Sequence, residues 1–349
     1  MERDELVELV RQGDTVSKCD LSGGDLSGAD LSGGVFEEVN FCGARLDAAC
    51  FRESILVGCC FDRAILTSVD FHLVSANKCS FQAADLSRAR LMATQFSFCD
   101  LSEADLSGAD LRMAALAQCR LSATRFCGAV LERAAFLDVE TPGIDFSGTP
   151  LRQTVLLKAD LTTARLEGCS FHGVVLSESN LAGLSLQGLD FTLTQFMDAD
   201  LSGCDLTGAN LTKCNFKGAN LEKACLDGAI ADNTLFVEAR LGGASFQKAR
   251  LHQSILIDAE LVRADFSEAA MQQCILTRAN GTEARFVNAD LTFADFSHAN
   301  LMGAILSGAT LFRTKLHGVK DERAILPDRT LALGVDPDLA EAENWRPTY

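Results

Sequence analysis

From Leu21 to Leu316 every fifth residue is almost always Leu or Phe, with small or polar residues between, and the frame holds through sixty consecutive pentads. Only Ala76, Thr141, Ala231, Met271 and Gly281 depart from Leu or Phe at these centres. The unit is plain in Ala104-Asp105-Leu106-Ser107-Gly108 and in Ala219-Asn220-Leu221-Glu222-Lys223. A period of five fits neither regular element alone. On a helix, five residues turn the side chain by about 500°, so successive Leu residues spread around the axis and leave no buried stripe. In one long strand an odd period sends alternate Leu residues to opposite faces. The pattern instead predicts short extended pieces, each with its own turn, coiled into a solenoid whose turns stack by parallel pairing.

The outward positions set the size of one coil. Residues just before and just after a centre point away from the axis, because side chains alternate along an extended segment. Six centres carry apolar residues on both sides: Ile55 and Val57, Ala115 and Ala117, Ala135 and Leu137, Val155 and Leu157, Leu235 and Val237, Ile255 and Ile257. These centres differ by multiples of twenty, so four pentads per coil line them up on one face, whereas three would scatter them. A square coil of twenty residues follows. About fifteen coils at roughly 4.8 Å per stacked strand give a length of about 70 Å. Val175, Met197 and Ile275 fall on the same face. A contiguous apolar strip on a surface marks a contact site, so this face is expected to bind a protein partner or a second copy of the chain, with a dimer as one form.

The ends read as covers for the unpaired edges of the stack. Residues 1–18 form an N-terminal cap, with a short helix over 2–12 in which Leu6, Leu9 and Val10 share a face and Gly13 stops it. Residues 19–326 form the repeat body. Residues 327–349 form a C-terminal capping tail, with a helix over 338–344, and Trp345 and Tyr349 are expected to contact the last coil. The pentad 139–143 lacks the motif, and its Pro142 and Gly143 predict a distorted corner.

Nine of the 14 Cys residues occupy the small inward position two before a centre, including Cys59, Cys79, Cys99 and Cys119 at steps of twenty. Parallel, buried side chains in such a column favour reduced packing residues over disulfides, and a linear row lacks the tetrahedral geometry of zinc. Reduced thiols fit a cytoplasmic protein. The start of the sequence carries no secretory signal, and no apolar run reaches membrane-spanning length. His298 and His317 could meet in neighbouring coils, while the other three His residues are expected on the surface. Asp and Asn before many centres, such as Asp20, Asp105, Asp200 and Asn220, are expected to hydrogen-bond backbone at the corners. No phosphate loop, nucleophile elbow or zinc-hydrolase motif is present. No catalytic residue, cofactor or metal site is expected.

The tandem Ala-(Asp/Asn)-Leu array resembles the pentapeptide-repeat proteins over roughly residues 19–318. The resemblance implies an all-β fold, a right-handed quadrilateral parallel β-helix, and a non-catalytic interaction scaffold. Two more specific roles come with it. Relatives associated with quinolone resistance act as duplex-DNA mimics toward type II topoisomerases such as DNA gyrase. Long members also resemble accessory proteins of bacterial type VI secretion systems. The formal charge of −17 argues against direct binding of nucleic acid, which needs a basic footprint, and it invites the mimic reading. Duplex DNA carries one charge per about 1.7 Å, so a 70 Å rod would need roughly 40, and this chain has fewer than half.

Overall fold

The computed structural model describes residues 2–345. The chain forms two compact units, Met1–Asn180 and Leu181–Tyr349, and both are built from the same four-sided parallel β-helical turn. In the first unit α1 (Arg3–Gln12) is followed by eight three-residue strands: β1 (Thr15–Ser17), β2 (Val35–Glu37), β3 (Ile55–Val57), β4 (Ser75–Asn77), β5 (Gln95–Ser97), β6 (Ala115–Ala117), β7 (Ala135–Leu137) and β8 (Val155–Leu157). They form one parallel sheet in chain order, each strand in register with the residues twenty further on. Elsewhere the step of twenty is kept by single-residue bridges, from Asp20 to Asn40 in the first unit and from Ser185 to Asp205 in the second. Regular strands therefore mark only seven steps on one side, fewer than the fifteen coils expected. The difference lies in how long each side stays extended, and the twenty-residue register is as expected.

The pentad is explained by its five backbone N–H groups, each of which needs a partner when buried. In 101–105, Leu101 N–H donates to Arg120 O at 2.8 Å and Glu103 N–H to Ser122 O at 2.8 Å. Asp105 N–H donates to Ala84 O at 2.9 Å in the coil before, and Ala104 N–H closes the turn onto Leu101 O at 3.0 Å. That leaves Ser102, whose N–H is taken by Asp100 Oδ1 at 3.0 Å. The Asp or Asn before the centre supplies the one acceptor that the ladder lacks. The same bond recurs from Ser22 to Asp20, Ser107 to Asp105, Ser202 to Asp200 and Glu222 to Asn220.

The turn also demands a positive φ two residues after the centre, as a type II turn does at its third residue. Gly23 meets this at φ 65° without strain, but most such positions carry an ordinary side chain, such as Glu103 at φ 61° and Arg278 at φ 59°. Each costs about 1 kcal/mol of left-handed strain, which the stacked coils on either side must offset. Leu and Phe centres fill the interior almost without exposure.

At 139–143 the turn survives. Thr141 is buried at the centre, Gly143 adopts φ 70°, and Ile144 N–H reaches Thr141 O at 3.1 Å. Pro142 sits at the position whose N–H the ladder never uses, so its missing donor costs little. The expected distortion is confined to two bonds: Thr141 Oγ1 donates to Asp160 O at 2.6 Å, an acceptor site that Leu121 N–H fills at Glu140 one coil earlier, and Gly143 N–H goes to Thr163 Oγ1 at 2.9 Å, where Ala123 N–H one coil earlier reaches the Pro142 carbonyl.

The inward column Cys59, Cys79, Cys99 and Cys119 is buried and reduced, as are Cys204 and Cys214. Each thiol turns to a carbonyl, for example Cys204 Sγ to Leu181 O at 2.9 Å, and buried Thr and Ser at equivalent positions do the same, as Thr94 does to Phe71 O at 2.7 Å. Burial pushes Cys204 up to about 11 and Cys214 up to about 12, so both stay protonated at neutral pH. The expectation of reduced cysteines needs one correction. Cys42 and Cys60, at corner positions outside that column, are joined by a disulfide with a Cα separation of 5.7 Å.

The ends are covered. Gly13 caps α1 at φ 79°, α1 buries Leu6 and Val10, and it packs against β1. At the other end of the second unit, Leu333 pairs with Lys315, exchanging Leu316 N–H to Leu333 O and Leu333 N–H to Thr314 O, both at 2.8 Å. The helix α2 (Pro337–Asn344) follows, capped by Asp336 through bonds from Asp338 N–H and Leu339 N–H.

Candidate interaction face

In the first unit all eight strands lie on the side that bears the apolar pairs. Register brings Ala115, Ala135, Val155 and Val175 into one row, and Ala117, Leu137 and Leu157 into the next. Ile55 and Val57 of β3 are exposed on the same side but stand apart, because Ser75, Asn77, Gln95 and Ser97 of β4 and β5 intervene. In the second unit a bridge series runs from Gln195 through Asn215, Leu235, Ile255 and Ile275 to Asp295. Leu235, Val237, Ile255, Ile257 and Ile275 therefore form a run, whereas Met197 is separated from it by Asn215 and Lys217. Each unit thus carries its apolar residues in patches, the longest of them over successive coils.

The corners beside these strands add apolar side chains that lie outside the flanking pairs. Met113 is 59% exposed and Phe98 53% exposed, with Leu73 similar. All three stand at the positive-φ turn position, next to β6, β5 and β4 respectively. Phe98 was marked in the sequence by being off-centre. In the second unit, Phe293 and Phe312 pair edge to face at 5.6 Å, and Arg313 lies 5.7 Å over the Phe293 ring.

Part of the charge is paired between coils. Arg125 meets Asp105 at 2.7 Å in the first unit, and Arg250 meets Asp232 at 2.7 Å in the second. The Ser27 hydroxyl and amide hold the Asp25 carboxyl below its ordinary range, Arg112 does so for Asp110, and Thr207 with Gln187 for Asp205. Much of the acidity is thus tied to turns and arginines.

The tail behaves differently from expectation. Trp345 is 72% exposed, so it does not pack on the last coil, and Tyr349 lies outside the described residues. What holds α2 is polar. His298 and His317 meet edge to face at 5.2 Å, and Glu343 bridges them, Oε1 to His298 Nε2 at 3.0 Å and Oε2 to His317 Nε2 at 3.2 Å. These three could surround a metal, but the far side of His317 argues otherwise. Its Nδ1 accepts the Asp336 N–H at 3.0 Å, so the neutral ring carries its proton on Nε2 and donates it to Glu343. A metal-ligating Nε2 needs the reverse arrangement, with Nδ1–H donating outward. The cluster is a hydrogen-bonded clasp for α2.

A four-sided parallel β-helix with a pentad repeat defines the class of the protein as a β-solenoid repeat protein. The chain belongs to the pentapeptide repeat family: the model described as "Pentapeptide repeats (8 copies)" matches residues 19–58, 159–196, 194–230, 234–271, 259–292 and 282–318. A second, "Pentapeptide repeat region", matches residues 69–146. These matches indicate no catalytic family. No curated protein matches the chain. Among solved structures it is similar to HetL, a pentapeptide repeat protein involved in heterocyst differentiation regulation in the cyanobacterium Nostoc sp. strain PCC 7120. That match has 28% identity over 64% of this chain and 89% of HetL, with a TM-score of 0.29. It is also similar to full-length QnrB1, a plasmid-mediated fluoroquinolone resistance protein, at 20% identity over 54% of this chain and 94% of QnrB1, with a TM-score of 0.35. Among the described residues no helix is long and apolar enough to cross a membrane.

Proposed function

We propose that the chain is a non-catalytic scaffold that binds protein, a partner or a second copy, through the apolar patches on the strand-bearing side of its first unit and the matching run in its second. The observation that carries this is the in-register run from Ala115 and Ala117 through Leu137, Val155 and Leu157 to Val175, with Met113 exposed beside it. Outward aliphatic residues in successive coils make an apolar surface of the kind that protein contacts cover. Simple strand propensity accounts for Val and Ile at such places, but it does not account for a Met and a Phe held at strained turn positions beside them.

The test uses Leu137→Glu with Val155→Glu in the first unit, and Ile255→Glu with Ile257→Glu in the second. Each variant is measured by light scattering for self-association and by affinity purification from the native host for a partner. Loss of association or of a partner, with an unchanged far-UV circular dichroism spectrum, is the expected result. Unchanged association in both variants refutes the proposal. A cytoplasmic setting and an accessory role at a type VI secretion system go with this reading, and the co-purifying proteins would identify that role. The alternative, modulation of a type II topoisomerase by DNA mimicry, has weaker support, because the formal charge of −17 falls short of a duplex's and part of the acidity is paired with arginines; an unaltered gyrase supercoiling assay would remove it.

A further inference from the structure

The corners of successive coils make a diagonal contact that repeats through the fold. A side chain just after one centre meets the side chain just before the centre eighteen residues on. Asp62 accepts from Ser80 Oγ, Gln82 Nε2 donates to Asp100 Oδ2 at 2.8 Å, and Arg240 pairs with Glu222. Cys42 and Cys60 occupy such a diagonal, and theirs is the disulfide. Asp62 stands twenty residues beyond Cys42, in the coil above, and the two sulfurs and a carboxylate oxygen all lie within 4.8 Å of one another.

We propose that, once the disulfide is reduced, Cys42, Cys60 and Asp62 form a three-ligand site for a borderline divalent cation of the zinc class. The donor set is right for it: two thiolates and a carboxylate. The spacing is right too. Around a tetrahedral ion with Zn–S near 2.3 Å the sulfurs stand roughly 3.8 Å apart, which side-chain rotation at a Cα separation of 5.7 Å permits. The carboxylate is oriented in advance, because Asp62 Oδ1 accepts from Ser80 Oγ and from Gln82 N–H at 3.0 Å, while Oδ2 has no hydrogen-bond or ion-pair partner among the described residues. Such outer bonds fix a ligand and tune its affinity. On the remaining side Cys42 and Asp62 line an open groove of about 630 Å³, together with Arg63, Gln82, Ser102 and Glu103, so a fourth, solvent ligand has access.

The chemistry balances with a thiol as the reductant. Two RSH groups give up two electrons and two protons, the Cys42–Cys60 bond breaks, and two protein thiols and one RSSR result. Binding of the cation then releases the two thiol protons. The site is therefore gated by redox state: oxidised, it is a covalent staple between two coils; reduced, it is a metal site.

The experiment titrates the full chain, reduced with a phosphine and stripped of metal by chelation, with Co²⁺. The expected result is one equivalent bound with a thiolate-to-cobalt charge-transfer band, displaced by Zn²⁺. The oxidised chain should show no band, Cys60→Ser should lose it, and Asp62→Asn, which keeps both thiols, should weaken binding at least tenfold. Glu343→Gln should leave the signal unchanged, which excludes the histidine cluster as its source. Absence of the band in the reduced wild-type chain overturns the proposal. So does a band that survives Cys60→Ser or is the same in the oxidised chain. Should Cys60→Ser fail to fold by circular dichroism, the reduced-against-oxidised comparison and Asp62→Asn decide alone.

Discussion

The aromatic columns are the most direct test of the stacked-coil register. In the second unit Phe216 is fully buried, with its ring 4.7 Å from Phe196 at an interplanar angle of 2° and 5.2 Å from Phe236 at 5°. These separations match the rise between paired strands, so the stacking follows from register. Phe216→Ala removes the ring and leaves a cavity that the rigid backbone on either side cannot close, a loss of about 4 kcal/mol. Phe216→Leu keeps most of the volume, and Leu is the other residue native to these centres, but it removes both ring contacts at about 0.5–1.5 kcal/mol each. The Leu variant should therefore lose about 1–3 kcal/mol, and the difference between the two variants measures the cavity. Urea unfolding followed by far-UV circular dichroism gives both values. Hydrogen exchange should place the weakening in the coils around residues 196–236, since a repeat contacts only its neighbours. A Leu variant within about 0.5 kcal/mol of wild type would show that the rings contribute no more than aliphatic bulk. An Ala variant that loses less than about 1 kcal/mol would refute the packed column itself.

Two further outcomes follow from the polar bonds. Asp200→Ala removes the acceptor of the Ser202 N–H and should cost about 1 kcal/mol by urea titration, whereas Asp200→Asn, which can make the bond as Asn220 does, should stay near wild type. Because the Asp25, Asp110 and Asp205 carboxyls sit below their ordinary range, their contribution is complete above the unfolded value near 3.9 and is lost as pH falls through the lower folded values. Circular dichroism should hold steady down to about pH 4 and fail only below it; loss of the fold well above that pH would contradict the assignment. Glu343→Gln puts an amide N–H against a ring N–H at one end of the clasp. It should speed limited proteolysis at α2 without changing the β-helix spectrum, and equal proteolysis rates would show that the clasp does not hold the helix.

The legible part of this chain is the part the backbone dictates. The inward small residue, the Asp or Asn before the centre and the Leu or Phe centre answer a narrow corner, an N–H the ladder leaves over and the interior in turn, so they recur along the chain, the Asp or Asn less regularly than the centre, and announce both the fold and its twenty-residue step. What the sequence hid lies where that demand lapses. Cys42 and Cys60 were missed because columns of residues twenty apart were sought, whereas the corner leans each side chain toward a neighbour eighteen away. Glu343 was missed because the repeat has ended there, and no period says which coil α2 will meet; the two histidines, still within the frame, could be paired in advance. The need to cap a solenoid end places Trp345 on the last coil, whereas the contact that holds α2 is the polar clasp of Glu343 on the two histidines.

The same division bears on where function is written. Of the five positions in a pentad, the two after the centre constrain their side chains least: the first gives its N–H to a side chain, and the second gives its N–H to the ladder and asks otherwise only for a positive φ. Selection for a partner can act there, and at the outward position before the centre wherever Asp is dispensed with, without touching the coil. Met113, Phe98, Cys42 and Val155 all occupy such places. A residue of unusual character at one of these positions is therefore better evidence of function than any number of regular repeats, and Met113 and Phe98, exposed at φ 60° and 56°, are the first residues to truncate to Ala, which other coils carry at the same turn position. If the Ala variants keep the stability of the fold, as truncation of exposed side chains should, and yet abolish association, the turn positions carry the recognition. If they keep both stability and association, recognition rests on the strand residues Leu137, Val155 and Leu157 alone.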